Sequence, residues 1–174
     1  MNTNNKSPRR IGRERAFQIL YGWHFSQGDQ ELFINRTFYH LFLDEYSSSA
    51  NQFAQSLLQG VLEHLDQLDK TIALFSKNWR LERIAHVELA ILRLSLYEIL
   101  YCQEVPVKVA INEGIELSKR YGDQKSRQFV NGLLDGVAKS IGQGDLSCAS
   151  KLKSGEDKTE LGDDQTDKTF ELEQ

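Results

Sequence analysis

The chain is poor in the residues that build disulfide-stapled, metal-bound or membrane-spanning folds. Its two cysteines, Cys102 and Cys148, are too few and too far apart for a disulfide framework or a zinc site, a usage expected of a reducing cytoplasm. Pro8 and Pro106 are the two prolines, and no alternating apolar run bounded by turn residues marks a strand. The most apolar stretch is interrupted by Glu88, Arg93 and Glu98, so no segment of about 20 residues is suited to span a bilayer. Nothing after Met1 forms the apolar centre of a signal peptide. Catalytic signatures are missing too. His24, His40, His64 and His86 lack metal-ligand spacing, GQG at 142–144 lies outside any strand–turn–helix context, and there is no HExxH, GxSxG or phosphate-loop motif. Glu113 and Glu116 read as a solvated pair on one exposed face, without the apolar pocket that would separate two carboxyl pKa values. The expectation is a protein with no catalytic residue, no cofactor and no metal.

Charge is unevenly spread. Residues 143–174 hold nine acids against four lysines, a net −5 that leaves the remainder of the 174-residue chain at +1. The first fifteen residues carry Lys6, Arg9, Arg10, Arg13 and Arg15 against Glu14 alone, a local basic patch. Composition divides the chain into a flexible arm at 1–7, one helical domain at 8–142, and an acidic tail at 143–174 whose apolar residues are too sparse to offset the entropy of ordering.

Helical periodicity runs through the domain. Ser7 followed by Pro8 is a helix start, with serine as cap and proline in the first turn, and Phe17, Leu20, Tyr21 and His24 then form one stripe while Arg9, Arg13 and Glu14 stay wet. Cations at the positive end of a helix dipole repel one another and the dipole, an arrangement that phosphate relieves and that a solvated basic face also tolerates. Gly28 ends this helix. A second runs from Leu32 to Tyr46, and a cap among Ser47, Ser48 and Ser49 starts a third through Leu65. Asp66 or Asp69 caps a short fourth. Ile84 to Tyr101 is apolar around most of its circumference, the mark of a helix in the middle of a bundle. Its exceptions are Glu88, Ser95 and Glu98 on one side and Arg93 nearly opposite. Glu88 among isoleucines requires exposure or a partner, either an arginine of the same chain or a second protein. Pro106 opens the next helix, Gly122 closes it, and Asp123 caps the last, which carries Phe129, Val130, Leu133, Leu134, Val137 and Ile141.

The runs VELAILRLSLYEI, VPVKVAINEGIELSKRYG and FVNGLLDGV, in that order and spacing, resemble the C-terminal half of the NusB family, and RRIGRERAFQILYGW resembles its arginine-rich first helix. The resemblance covers roughly 8–141, is weak between about 28 and 80, and does not reach the tail. It implies an all-α fold of two small antiparallel bundles, about seven helices, with no catalytic activity. It also implies a transcription antitermination role: binding of boxA RNA in ribosomal RNA leaders together with NusE, a small-subunit ribosomal protein, within an RNA polymerase elongation complex that holds other Nus factors.

Carried over by position, Arg9, Arg10 and Arg13 match the arginine motif, which departs from the family at Ile11. Phe129 matches an RNA-facing aromatic, with Lys125, Arg127 and Gln128 on the turn before it, and Arg93 is a weaker RNA candidate. Phe129 is equally compatible with a core contact. Tyr21, Phe25 and Glu88 match positions that face NusE, and Tyr21 fits the core as well. Two other readings stay open, an accessory domain serving ribosomal RNA modification and a helical protein adaptor without RNA. Whether the free protein is a monomer or a homodimer is not set by the sequence.

Overall fold

Caps fix where the helices begin. Ser7 accepts a hydrogen bond from Arg10 N–H, Ser48 from Asn51 N–H and Asp123 from Ser126 N–H, each satisfying one of the four donors that a helix start leaves unpaired. The computed structural model describes residues 7–26, 29–42, 48–76 and 80–146. They form α1 Pro8–Trp23, α2 Gln30–Phe42, α3 Ser49–Glu63, α4 Leu65–Phe75, α5 His86–Tyr101, α6 Val107–Tyr121 and α7 Gln124–Gln143, with a 3₁₀ turn at Leu81–Arg83. Among these residues there is no strand, and no helix is long and apolar enough to cross a membrane.

The helices α1, α2 and α3 pack together as one bundle and α4 to α7 as a second, and α5 joins the two by packing against α1, α3, α4, α6 and α7. That position explains its composition. Leu89 through Leu96 and Glu98 through Leu100 are all buried, and each fully covered leucine or isoleucine contributes about 1.5–3 kcal/mol relative to exposure. Two glycines let backbones approach closely. A Cβ on Gly12 would lie 2.6 Å from the Ala50 carbonyl oxygen, where α1 crosses α3, and one on Gly114 would lie 2.4 Å from Ser95 Oγ, where α6 meets α5. Ser95, buried and small, is the α5 residue that faces this glycine.

Several expectations are corrected. Arg13 is not wet but 4% exposed, because Glu98 on α5 receives it. The arginine partner considered for Glu88 belongs to Glu98 instead; Glu88 lies in the first turn of α5 and accepts from Ala85 N–H at 3.3 Å, half of a capping box. Helix α4 starts at Leu65, earlier than either candidate aspartate, and Asp69 serves as an ion-pair partner of Arg93. Helix α5 begins at His86, after the 3₁₀ turn takes up Leu81–Arg83. Gly122 does close α6, but with φ −109°; its reason is space, since a Cβ would come 2.7 Å from that of Ser126. Glu113 is not a solvated carboxylate, for its side chain is only 15% exposed. Gly28, the end of the second helix beyond Phe42, the arm before Ser7 and the tail from 147 lie outside the described residues.

Candidate nucleic-acid interface

Of the four arginines of α1, Arg15 bonds Asn51 of α3 at 2.6 Å, and Arg9, Arg10 and Arg13 meet carboxylates from α5, α6 and the turn between them. Arg9 is exposed, reaches Glu104 at 3.2 Å and lies over the Phe53 ring at 5.6 Å. Arg10 forks onto Glu113 of α6, with Nε 3.2 and 3.1 Å from its two oxygens and Nη2 at 2.7 Å. Arg13, one turn on, makes the same fork inside the protein: its Nε and Nη2 bond Glu98 at 2.8 and 2.7 Å, and its Nη1 stands 4.0 Å from Glu113. Opposite charges held at this range relieve the repulsion between the arginines and the helix dipole. Glu113 raises the Arg10 pKa through its hydrogen bonds and then its charge. Burial pushes the Glu98 carboxyl upward, opposed by the hydrogen bonds and charge of Arg13.

The pairing continues along α6. Glu14 binds Arg120 at 2.6 Å and accepts from the Tyr121 hydroxyl, and the Tyr121 ring lies 4.6 Å from that of Phe17. Between α1 and α6 a cleft of ≈ 330 Å³ is lined by Arg10, Arg13, Lys119 and Arg120 together with Glu14, Glu113 and Glu116. Tyr121 carries the chain directly into the turn before α7, where Asp123 caps the helix that bears Lys125, Arg127, Gln128 and Phe129. Lys125 and Gln128 are exposed, whereas Arg127 and Phe129 are half-buried. Phe129 packs against the core while keeping part of its ring at the surface.

Arg93 does not join this group. It is buried, forks onto Asp69 of α4 with two bonds of 2.8 Å, and lies over the Trp23 ring at 5.3 Å. Its neighbours belong to the other end of α1, where an aromatic patch forms. Phe25 is 62% exposed, meets Tyr21 edge-on at 5.1 Å and His86 at 5.6 Å, and the His24 and His86 rings stack at 3.3 Å. His86 sits in the same first turn of α5 as Glu88. Phe25 and Tyr21 share this patch, with Tyr21 half-buried between Phe17 and Phe25, whereas Glu88 lies two residues beyond His86 in the first turn of α5, on another side of that helix.

Sequence reading missed the acids Glu14, Glu98 and Glu113 and the stacked histidines. One signal was present: Glu98 shares a helix side with Ser95 and Glu88, and a carboxylate on the hidden side of a buried helix calls for a cation.

The NusB family model matches residues 10–139. A transcription antitermination protein NusB of Oleidesulfovibrio alaskensis is 45% identical over 149 residues, covering 83% of this chain and 96% of that protein. Among solved structures, NusB of T. maritima superposes with a TM-score of 0.69 at 35% identity, covering 77% of this chain and 92% of that one. A chain from a complex of antitermination factors NusB and NusE with double-stranded RNA superposes with a TM-score of 0.65, covering 76% and 97%; at 23% identity that likeness concerns the fold.

Proposed function

The chain belongs to the NusB family, and from that premise we propose that it is a transcription antitermination protein that binds boxA-type RNA together with NusE and holds the RNA to the elongating polymerase. The observation that supports this most is the family match itself, which runs from the first turn of α1 into α7 and so takes in the whole helical body. The arginine start of α1 and the aromatic patch at its end lie on separate surfaces, which suits one protein receiving an RNA and a protein partner together.

The chemistry asked of it is binding. Arg9 and Arg10 supply exposed guanidinium groups for phosphate or base edges, and the surface part of Phe129 offers a stacking platform, a contribution of roughly 1–3 kcal/mol per base. Selectivity comes from splayed single-stranded bases, because side chains do not read the deep groove of A-form RNA. Arg13 and Arg93 serve this function from within the fold. On the partner side, Phe25 and Tyr21 supply apolar area, and Glu88 in the first turn of α5 supplies a carboxylate. The protein acts as an assembly platform, and no catalytic step is assigned to it.

The test is a titration of labelled boxA-type RNA and a scrambled control, with and without NusE, at two salt concentrations. Selective binding tightened by NusE is expected, with log affinity falling against log salt at a slope near −0.7 per phosphate neutralised. Equal weak binding to both RNAs, unchanged by NusE, would leave a helical adaptor with a basic edge. Glu88→Lys is expected to abolish co-elution with NusE while preserving the helical circular dichroism; normal co-elution counts against the partner surface.

A further inference from the structure

Arg10 and Arg13 make the same fork to a carboxylate, but Arg13 is enclosed whereas Arg10 is half open. The Arg10 side chain is 48% exposed and that of Glu113 is 15% exposed, so the acid is the fixed member of the pair and the arginine its outward extension. Gly114 lets α6 approach α5, which brings the preceding Glu113 within reach of α1. Glu113 engages Nε and Nη2, the side edge of the guanidinium. Nη1, and with it the end-on edge formed by Nη1 and Nη2, makes no hydrogen bond among the described residues, and Glu116 acts on the guanidinium only through its charge. A flexible arginine on a helix start is a diffuse cation; one clamped along its side edge points its second edge in a single direction.

We infer that Glu113 is a positioning residue that fixes Arg10 so that its Nη1–Nη2 edge is presented to RNA as a directional, two-pronged donor. This rests on the RNA-binding reading above. The ligand chemistry is a pair of adjacent acceptors, the pattern offered by two phosphate oxygens and by O6 and N7 of guanine. The proposal inverts the simple electrostatic expectation. Removing an acid from a phosphate-binding surface should tighten binding, whereas removing the clamp should weaken it, because the arginine must then be ordered by the RNA at an entropic cost.

The experiment measures boxA-type RNA and scrambled RNA binding by the full chain with NusE, comparing wild type, Glu113→Gln, Arg10→Lys and the double variant at two salt concentrations, with thermal unfolding of each as a check on folding. Glu113→Gln is expected to weaken boxA binding about fivefold or more, on the scale of one lost bidentate contact, despite the lost negative charge. Arg10→Lys should weaken it comparably, and Glu113→Gln should weaken it no further in the Arg10→Lys background, since the two act as a unit. Repeating the Arg10→Lys comparison on RNA carrying 7-deazaguanine separates the acceptor sources: an effect that vanishes assigns guanine, one that persists assigns phosphate. Selective wild-type binding combined with tighter binding by Glu113→Gln, alone and in the Arg10→Lys background, overturns the proposal and makes Glu113 a competing counterion. A wild-type chain that shows no preference over scrambled RNA sinks the RNA reading and this proposal with it.

Discussion

The two ends of α1 solve opposite problems. At its start Arg9, Arg10 and Arg13 crowd the positive pole of the helix, and carboxylates from elsewhere in the chain come to meet them, Glu98 on α5, Glu104 on the turn before α6 and Glu113 on α6. At its end Tyr21, His24 and Phe25 carry no fixed charge; Phe25 meets Tyr21 and His24 edge-on, and His24 stacks on His86. Charge concentrated at one place has to be balanced within the fold before any ligand arrives, so the arginine end is tied to α5 and α6. An aromatic end needs no counter-ion and leaves Phe25 standing in solvent, available to a partner. The dipole adds a further contrast. The negative pole at the end of α1 favours a protonated His24, yet its pKa lies below the ordinary 6.5, through burial first, then the adjacent His86 and Arg93.

The contrast is broken most strongly at Glu98. Glu98→Ala leaves the Arg13 guanidinium buried without its counter-ion, and a loss of about 3–5 kcal/mol is expected in urea unfolding, with α1 released from α5; an unchanged midpoint would remove Arg13 from its internal role. Gly12→Val comes next. A side chain there meets the Ala50 backbone, and overpacking of this kind costs about 1–3 kcal/mol, read as a lower midpoint with an unchanged slope. Phe25→Ala sharpens the comparison from the other side: stability should stay within about 0.5 kcal/mol, because the ring is mostly solvated, while NusE association fails in a pull-down.

The smallest effect is a pH dependence. His24 has a folded pKa below its unfolded one, so the unfolded chain binds more protons in that window and stability rises with pH there. Its contribution is present above about 6.5 and is lost as pH falls below that value toward the folded pKa. A modest drop in the unfolding midpoint from pH 7.5 to 5.5, reduced in His24→Asn, is expected; a flat profile would show the stacked pair to be insensitive to charge.

The helical course of α1, α3, α5, α6 and α7 was legible because periodicity and caps act over single turns, and Ser7, Ser48 and Asp123 sit where local hydrogen bonding requires them. The boundary of α4 was less legible: no side-chain cap operates there, and Asp69, a good cap by type, is drawn instead to Arg93. The candidate site divided in the same way. Arg9 as an exposed cation follows from its position on an amphipathic helix, whereas the exposure of Phe25, beyond the last turn of α1, is seen only in the structure. The same helical wheel put Arg13 in water, since a wheel has no term for a carboxylate arriving from a helix 85 residues away.

By itself, then, the sequence determined the elements, the basic and aromatic ends of α1, and the family, all of which depend on residue types at short spacing. Only the tertiary structure decided which cations are struts and which are hands. Arg13 and Arg93 became internal ties and Arg10 an outward one because Glu98, Asp69 and Glu113 are delivered by other helices, and the strength of a charge pair depends on how much water its burial removes, which no local pattern of residues records.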